Sequence, residues 1–377
     1  MATLDVNITN PARAADRRMM RRAWFAMVGA AILVLAPVAS INYFVDNHSL
    51  LHANLDSDGL QEYVAAMRGA KIAVRYSYND RSVKLLVAQE STADCIAIGS
   101  SHIMTLREDR NAFVARNCTV LDNAGVTGAS FGDVITLMGI AVAKPNIKHL
   151  FIGVDLWTFT RNSRLNWKRN GAEMFAARAL FGLSSAPYQH TLEMESASVI
   201  EQLFSFKYLM TNLRFLKRAA LGKTTLTYDP RELQAEDLKK ELALLPDASL
   251  SYPDEFRPTP RNEDLATTDR WIAPPFIDQG VLEEFKIAIR KIVASGKSVT
   301  LIEGPYHPYV VNDCPKPRIC EGIKVVDPAV RAMAREIGVP VLGSYDPAPL
   351  GLVSDDFIDF QHIRGAIGWP KVIDLGL

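Results

Sequence analysis

The longest uncharged stretch of the chain comes first. Residues 23–45, AWFAMVGAAILVLAPVASINYFV, carry no charged side chain. At about 1.5 Å of rise per residue, such a helix spans a hydrocarbon core of about 30 Å. Five arginines stand before it (Arg13, Arg17, Arg18, Arg21, Arg22), against Asp5 and Asp16. Basic flanks stay on the cytoplasmic side, so residues 1–22 read as a cytoplasmic tail and everything after about residue 46 as extracytoplasmic. A cleaved signal peptide is the competing reading, with the small residues of VAS at 38–40 as its cleavage site. The apolar run exceeds a signal core of about 7–15 residues and favours an uncleaved anchor. Pro37 kinks a spanning helix without forbidding it.

Beyond the anchor, residues 46–92 alternate apolar and charged positions at helical spacing, as in LQEYVAAMRGAKIAVRY and RSVKLLVAQE, and predict a juxtamembrane helical segment. The pattern then changes. DCIAIGSS (94–101), CTVLDNAG (118–125), HLFIGVDLW (149–157), SVTLIEGPYH (298–307) and VPVLGSYD (339–346) are short apolar runs that end in Gly, Asn, Asp or Ser. Helical patterns lie between them, at 133–144, 280–295 and 327–338. Continuous apolar strands alternating with helices predict an α/β fold, doubly wound, with a parallel sheet covered on both faces. Such sheets bind ligands beyond the carboxyl ends of their strands, where all five polar run ends fall. The domain covers 93–377, with residues 160–279 read as a helical insertion or lid between the third and fourth strands.

Charge and cysteine content narrow the classes. Lys plus Arg and Asp plus Glu both number 42, so no net field favours nucleic acid. Cys314 and Cys320 bracket CPKPRIC, a proline-stiffened loop suited to a disulfide in an oxidising compartment. Cys95 and Cys118 pair if the strands they introduce are neighbours; isolated buried thiols are the equal alternative. No paired C-x-x-C spacing suggests zinc, and no metal or cofactor is expected.

The first predicted strand delivers Gly99-Ser100-Ser101 to the functional edge. Serine there is either a nucleophile or a helix cap. A nucleophilic serine needs a base within hydrogen-bond reach and an orienting group behind that base. Among seven histidines, His48 and His52 lie beside the apolar run, and His149 and His190 lack a polar partner motif. His102 adjoins Ser101, but successive residues on a helix do not face each other. His362 follows Asp359 by three residues, so one backbone turn sets the carboxylate against one ring nitrogen while the other faces Ser101. D-x-x-H alone is a weak motif, and its strand context sharpens it. His307, between two prolines in GPYHP, is a candidate substrate contact with a structural role as the alternative. Arg161 and Arg164 follow DLWTFT and are candidates for binding an anionic substrate, against a solvated face, and Trp157 is a candidate substrate contact.

Gly99-Ser100-Ser101, Asn123-Ala-Gly-Val-Thr-Gly128, Gly153-Val-Asp155 and Asp359-x-x-His362 stand in the order of the sequence blocks of the SGNH, or GDSL-like, hydrolase superfamily. The chain resembles in particular its membrane-anchored envelope branch, which includes proteins that O-acylate exopolysaccharides. The resemblance covers about 94–160 and 298–373. It implies a three-layer α/β/α sandwich with a flavodoxin-like sheet. It further implies Ser101 as nucleophile, His362 as general base, Asp359 as its orienter, and an oxyanion hole from the backbone N–H groups of Ser101 and Gly128. One position departs from the pattern: Asp155 stands where the superfamily supplies an Asn donor. An ionised carboxylate repels an oxyanion, and losing one such donor costs about a hundred- to a thousandfold in rate. Asp155 is then either protonated in the hole or busy elsewhere, for instance positioning Trp157 and Arg161; otherwise catalysis is weak. Asn123 is the substitute donor.

The expected function is that of a single-pass inner-membrane protein with a periplasmic serine acyl-transfer domain. It is expected either to transfer an acyl group to envelope or exopolysaccharide sugars, from a donor supplied by a multi-pass membrane acyl exporter, or to hydrolyse esters on them, since an acyl group on Ser101 is resolved equally by a sugar hydroxyl or by water. A non-catalytic member of a polysaccharide assembly or export complex is the alternative, and Asp155 is its best support. A dinucleotide binder is a third reading, opposed by the lack of G-x-G-x-x-G in GSSHIM or NAGVTGASFG.

Overall fold

The computed structural model describes residues 11–45, 57–76, 80–107, 112–160, 171–185, 201, 203–221, 230–253, 276–314 and 317–374. The chain divides into two compact units, Met1–Leu55 with Thr191–Leu226, and Asp56–His190 with Thr227–Leu377.

In the first unit one helix, Pro11–Val45, contains the stretch Met19–Val45, which is long and apolar enough to cross a membrane. It starts well before the predicted residue 23. Pro11 fits a first helical position, and the Ala and Arg residues after it are strong helix formers. The helix Phe206–Ala220 packs against its C-terminal part.

Among its described residues the second unit holds nine strands, numbered here along the chain from β1 (Ala73–Arg75), and it is built on a parallel five-stranded sheet. The strands of that sheet are β2 (Cys95–Ile98), β3 (Leu121–Asn123), β4 (His149–Val154), β8 (Ser298–Glu303) and β9 (Val341–Gly343), in the order β3-β2-β4-β8-β9. Each of the five apolar runs supplies one strand. The alternation of side chains sorts them between two cores. Ile96, Ile98, Leu150, Ile152, Val154, Val299 and Leu301 pack with Phe131, Met138, Phe285, Ile289 and Val330 from the helices Phe131–Ala143, Gln279–Ala294 and Pro317–Ile337. Cys95, Ala97, Phe151, Ile302 and Leu342 pack with Val114, Trp369 and Val372. In strand order, chain direction reverses its drift between β2 and β4, which places the topological switch at the carboxyl ends of those two strands.

A second sheet has no counterpart in the sequence reading. β1, β5 (Glu232–Leu233), β6 (Ala243–Leu244) and β7 (Leu250–Ser251) pair antiparallel in the order β5-β1-β6-β7. Strands of two or three residues are too short to impose a period, so 71–76 reads in sequence as part of a helical pattern. The insertion is also not one piece. Residues 191–226 belong to the unit of the N-terminal helix, whereas 230–253 complete this small sheet. Lys84, fully buried, fastens the small sheet to the large one, donating to the carbonyls of Asn123 (2.9 Å) and Ala248 (2.5 Å). Burial lowers its pKa to about 8 against the pull of Asp80, Asp247 and Asp122.

Both cysteine pairs are bonded, Cys95 to Cys118 and Cys314 to Cys320, and no cysteine is free. Cys95 and Cys118 introduce the adjacent strands β2 and β3, so the condition for their pairing is met.

At the far end of the large sheet, His149 stacks on Phe151 with ring centroids 4.4 Å apart, and its Nε2 lies 2.8 Å from Thr300 Oγ1. Burial lowers its pKa from 6.5 to about 4. Between these values the unfolded chain binds the extra proton, so stability falls as pH drops from 6.5 toward 4. His149→Gln is expected to remove about 2 kcal/mol of that decline, allowing for the part of the ring still hydrated, as read from urea unfolding at pH 7 and pH 4.

Candidate active site

The site starts at a glycine. Gly99 ends β2 with φ +153°, and a Cβ there would lie 3.0–3.2 Å from the backbone of Gly153 in neighbouring β4. Only glycine lets the two strand ends approach so closely and turn. The chain then makes successive tight turns, with Ile103 N donating to Ser100 O and Met104 N to Ser101 O at 3.1 and 3.3 Å. No regular helix follows. Ser100 is fully buried and accepts from His102 N at 3.2 Å, so it takes the local capping role. Ser101 keeps its hydroxyl for another partner.

That partner is His362, whose Nε2 lies 2.8 Å from Ser101 Oγ. On the other side of the ring, Nδ1 lies 2.9 and 2.8 Å from the two carboxylate oxygens of Asp359. The loop that arranges this is closed by a bridge between Phe357 and Ile363, with Ile358 N donating to His362 O at 2.7 Å. Asp359 Oδ1 also accepts from the backbone N–H groups of Gln361 (3.0 Å) and His362 (2.9 Å), the local turn for which Asp is suited. Burial alone would raise the Asp359 pKa. The His362 charge and hydrogen bond, with the two backbone donors, outweigh it and hold the carboxylate well below its usual range. Residues 101, 359 and 362 thus form a continuous hydroxyl–imidazole–carboxylate chain across 261 positions of sequence.

The loop after β3 faces the same edge. Ala124 N donates to Ala97 O and Val126 N to Gly99 O. Gly128 has φ +57° and nothing within 4 Å of the point a Cβ would occupy, so its glycine answers to backbone conformation and not to crowding. Its carbonyl is held by Arg81 at 3.2 Å. Neither the amide of Ser101 nor that of Gly128 has an acceptor among the described residues.

The other predicted contacts divide. Asn123 cannot serve as an oxyanion donor, because its amide group gives both hydrogens to the carbonyls of Ile103 (2.8 Å) and Leu106 (3.1 Å) while its oxygen accepts from Gly125 N. Asp155 is turned away to a different partner: its Oδ1 lies 2.6 Å from His102 Nδ1, with side-chain exposures of 4% and 5%. The approach is bent, so neither ring nitrogen of His102 has an aligned hydrogen bond. His307 is fully buried, its Nδ1 accepting from Tyr309 N at 3.1 Å as a helix cap. Burial lowers its pKa, with Asp359 opposing. Through Nδ1 it fills the structural role that was its alternative, while its buried Nε2 has no hydrogen-bond partner among the described residues. Trp157 is half-buried and donates to Ala129 O at 3.0 Å. Arg161 and Arg164, like His48, His52 and His190, lie outside the described residues.

Two tyrosines at the site, Tyr306 and Tyr252, have no role in the sequence reading. The rings of Trp157, Tyr306 and His362 surround His102 at centroid distances of 5.6, 5.5 and 5.6 Å, and Tyr252 lies 6.0 Å from His362. Tyr306 is buried, and burial followed by the Asp155 charge pushes its hydroxyl well above the ordinary pKa. The signal for His102 was its place beside Ser101; its partner is 53 residues away and could be found only by folding β2 beside β4. Among the described residues no cluster of His, Cys, Asp and Glu could hold a metal ion.

No family model and no curated protein matches the chain. Its function is therefore to be sought in the geometry of the site.

Proposed function

We propose that the chain is a membrane-anchored serine acyl-transfer enzyme of the SGNH type, with the second unit folded as a three-layer α/β/α sandwich. The observation that carries this reading is the 2.8 Å approach of His362 Nε2 to Ser101 Oγ, with Asp359 behind the ring. The separate apolar cores on the two faces of the parallel sheet support the sandwich.

In this mechanism Ser101 attacks the carbonyl of an ester as His362 Nε2 takes the hydroxyl proton. The tetrahedral intermediate places its oxyanion at the amides of Ser101 and Gly128. His362 then returns the proton to the leaving oxygen, and the acyl group remains on Ser101. A second hydroxyl, from a sugar or from water, gives its proton to His362 and bonds to the acyl carbon; the bond to Ser101 Oγ then breaks as His362 returns that proton to it. Asp359 fixes the Nδ1–H tautomer and stays ionised throughout.

The acceptor class is an envelope or exopolysaccharide sugar, the donor an acyl ester delivered at the membrane by a multi-pass acyl exporter. The N-terminal helix is the anchor, its arginine-rich flank cytoplasmic and the second unit periplasmic. Two disulfides with no free thiol support export to an oxidising compartment.

A fluorophosphonate probe tests the reading. The wild-type protein is expected to be labelled on Ser101, and Ser101→Ala, with an unchanged circular-dichroism spectrum, is expected to take no label. A folded wild-type protein that takes none would make the second unit a binding platform in an assembly or export complex.

A further inference from the structure

The helix Phe206–Ala220 has three lengthwise faces at about 100° per residue. Tyr208 and Asn212, four apart, are buried. Phe206, Met210 and Leu213, spaced four and three apart, are 56%, 50% and 39% exposed. Lys207 and Arg214, seven apart, run beside that apolar stripe, and Lys217 ends it; all three are exposed. The helix contains no Asp or Glu.

Its buried face is fastened to the apolar N-terminal helix at one polar residue. Asn42 Nδ2 donates to the carbonyls of Leu203 and Ser205, both at 3.0 Å, and its Oδ1 accepts from Asn212 Nδ2 at 3.1 Å. An amide inside a membrane span is costly unless it is hydrogen-bonded. Asn42 lies three residues before the end of the span Met19–Val45, about 4.5 Å along the axis. The second helix therefore meets the span where hydrocarbon gives way to headgroups. Next to the contact, Tyr43 and Phe44 of the span are themselves exposed.

We infer that Phe206–Ala220 lies in the membrane interface, with Phe206, Met210 and Leu213 in the acyl–headgroup boundary and Lys207, Arg214 and Lys217 at the lipid phosphates. This rests on the reading of Met19–Val45 as a membrane span. The occupant is a lipid surface, because the exposed apolar stripe belongs to a helix joined through Asn42 to the end of an apolar span whose Tyr43 and Phe44 are also exposed, and its charged residues are all basic. Both are features of interfacial amphipathic helices. The long stem of Lys217 lets its ammonium reach the headgroups from the end of the apolar stripe.

All four native cysteines are disulfide-bonded, so one added thiol can be spin-labelled selectively in the full chain. Phe206→Cys, Met210→Cys, Leu213→Cys, Arg214→Cys and Leu33→Cys are each reconstituted in vesicles of phosphatidylethanolamine and phosphatidylglycerol. Collision with oxygen is then compared with collision with a water-soluble nickel chelate. Labels at 206, 210 and 213 are expected to lie within about 10 Å below the phosphates, the label at 214 at phosphate level, and the label at 33 near the bilayer centre. Water-like exposure at 206, 210 and 213, with 33 still deep, overturns the inference and leaves the anchor standing. Water-like exposure at 33 as well overturns the anchor. Labels at 206, 210 and 213 that are shielded from both reagents and couple between molecules overturn it in favour of a second copy of the chain.

Discussion

His362→Ala is expected to lower hydrolysis of an activated ester such as 4-nitrophenyl acetate by about 10⁴-fold or more, with melting temperature and circular dichroism unchanged. The ring touches both Ser101 and Asp359. Its removal strands the serine proton, and a hydroxyl without a base is a weak nucleophile at neutral pH. The loop should survive. Ile358 N donates to the backbone carbonyl of His362, and Asp359 accepts from backbone N–H groups that alanine retains. Asp359→Asn is expected to cost about as much by favouring the wrong tautomer. Ester hydrolysis that persists at the wild-type rate in His362→Ala would remove the catalytic role of this chain of hydrogen bonds.

The large sheet was legible because its strands are strong local signals, and the three-residue constellation because a weak D-x-x-H follows those strands. An apolar run ending in Gly99-Ser100-Ser101 fixes a strand and what stands at its tip. Asp359 and His362 are close enough in sequence for one loop to join them. The small sheet was not legible, since β5, β6 and β7 are two residues each and β1 is three. Apart from the local pairing of β6 with β7, the sheet depends on β1 meeting segments more than 150 positions away. The roles of Asn123 and His307 were also hidden. A polar residue at a strand end looks the same whether it faces a substrate or satisfies buried backbone groups, and here each serves the latter.

Ser100 and Ser101 show how finely the strand tip divides its tasks. One hydroxyl supports the turn and the other meets the His362 imidazole, so the local capping role falls to Ser100 and leaves Ser101 to the ring. The same tip sends His102 inward. Its ring fills the space between Trp157, Tyr306 and His362, and its Nδ1 reaches the carboxylate whose position the sequence left unexplained.

Asp155→Asn is accordingly expected to lower both stability and turnover. If Asp155 belonged to the oxyanion hole, an asparagine would supply the missing donor and raise the rate by about a hundredfold or more. The carboxylate instead faces His102 with almost no exposure to solvent, and its residue is anchored by the N–H that donates to Thr158 Oγ1 at 2.9 Å. Replacing the carboxylate changes the polar neighbour 2.6 Å from the buried His102 Nδ1, and the loss of stability is expected to be about 1–3 kcal/mol. A displaced His102 would disturb the ring of His362, so the rate should fall with the stability. The double variant His102→Phe/Asp155→Leu removes both polar groups, and it is expected to unfold at a higher urea concentration than either single change predicts by addition. Additive losses would show that the two residues act separately, and a faster Asp155→Asn enzyme would return Asp155 to the oxyanion hole.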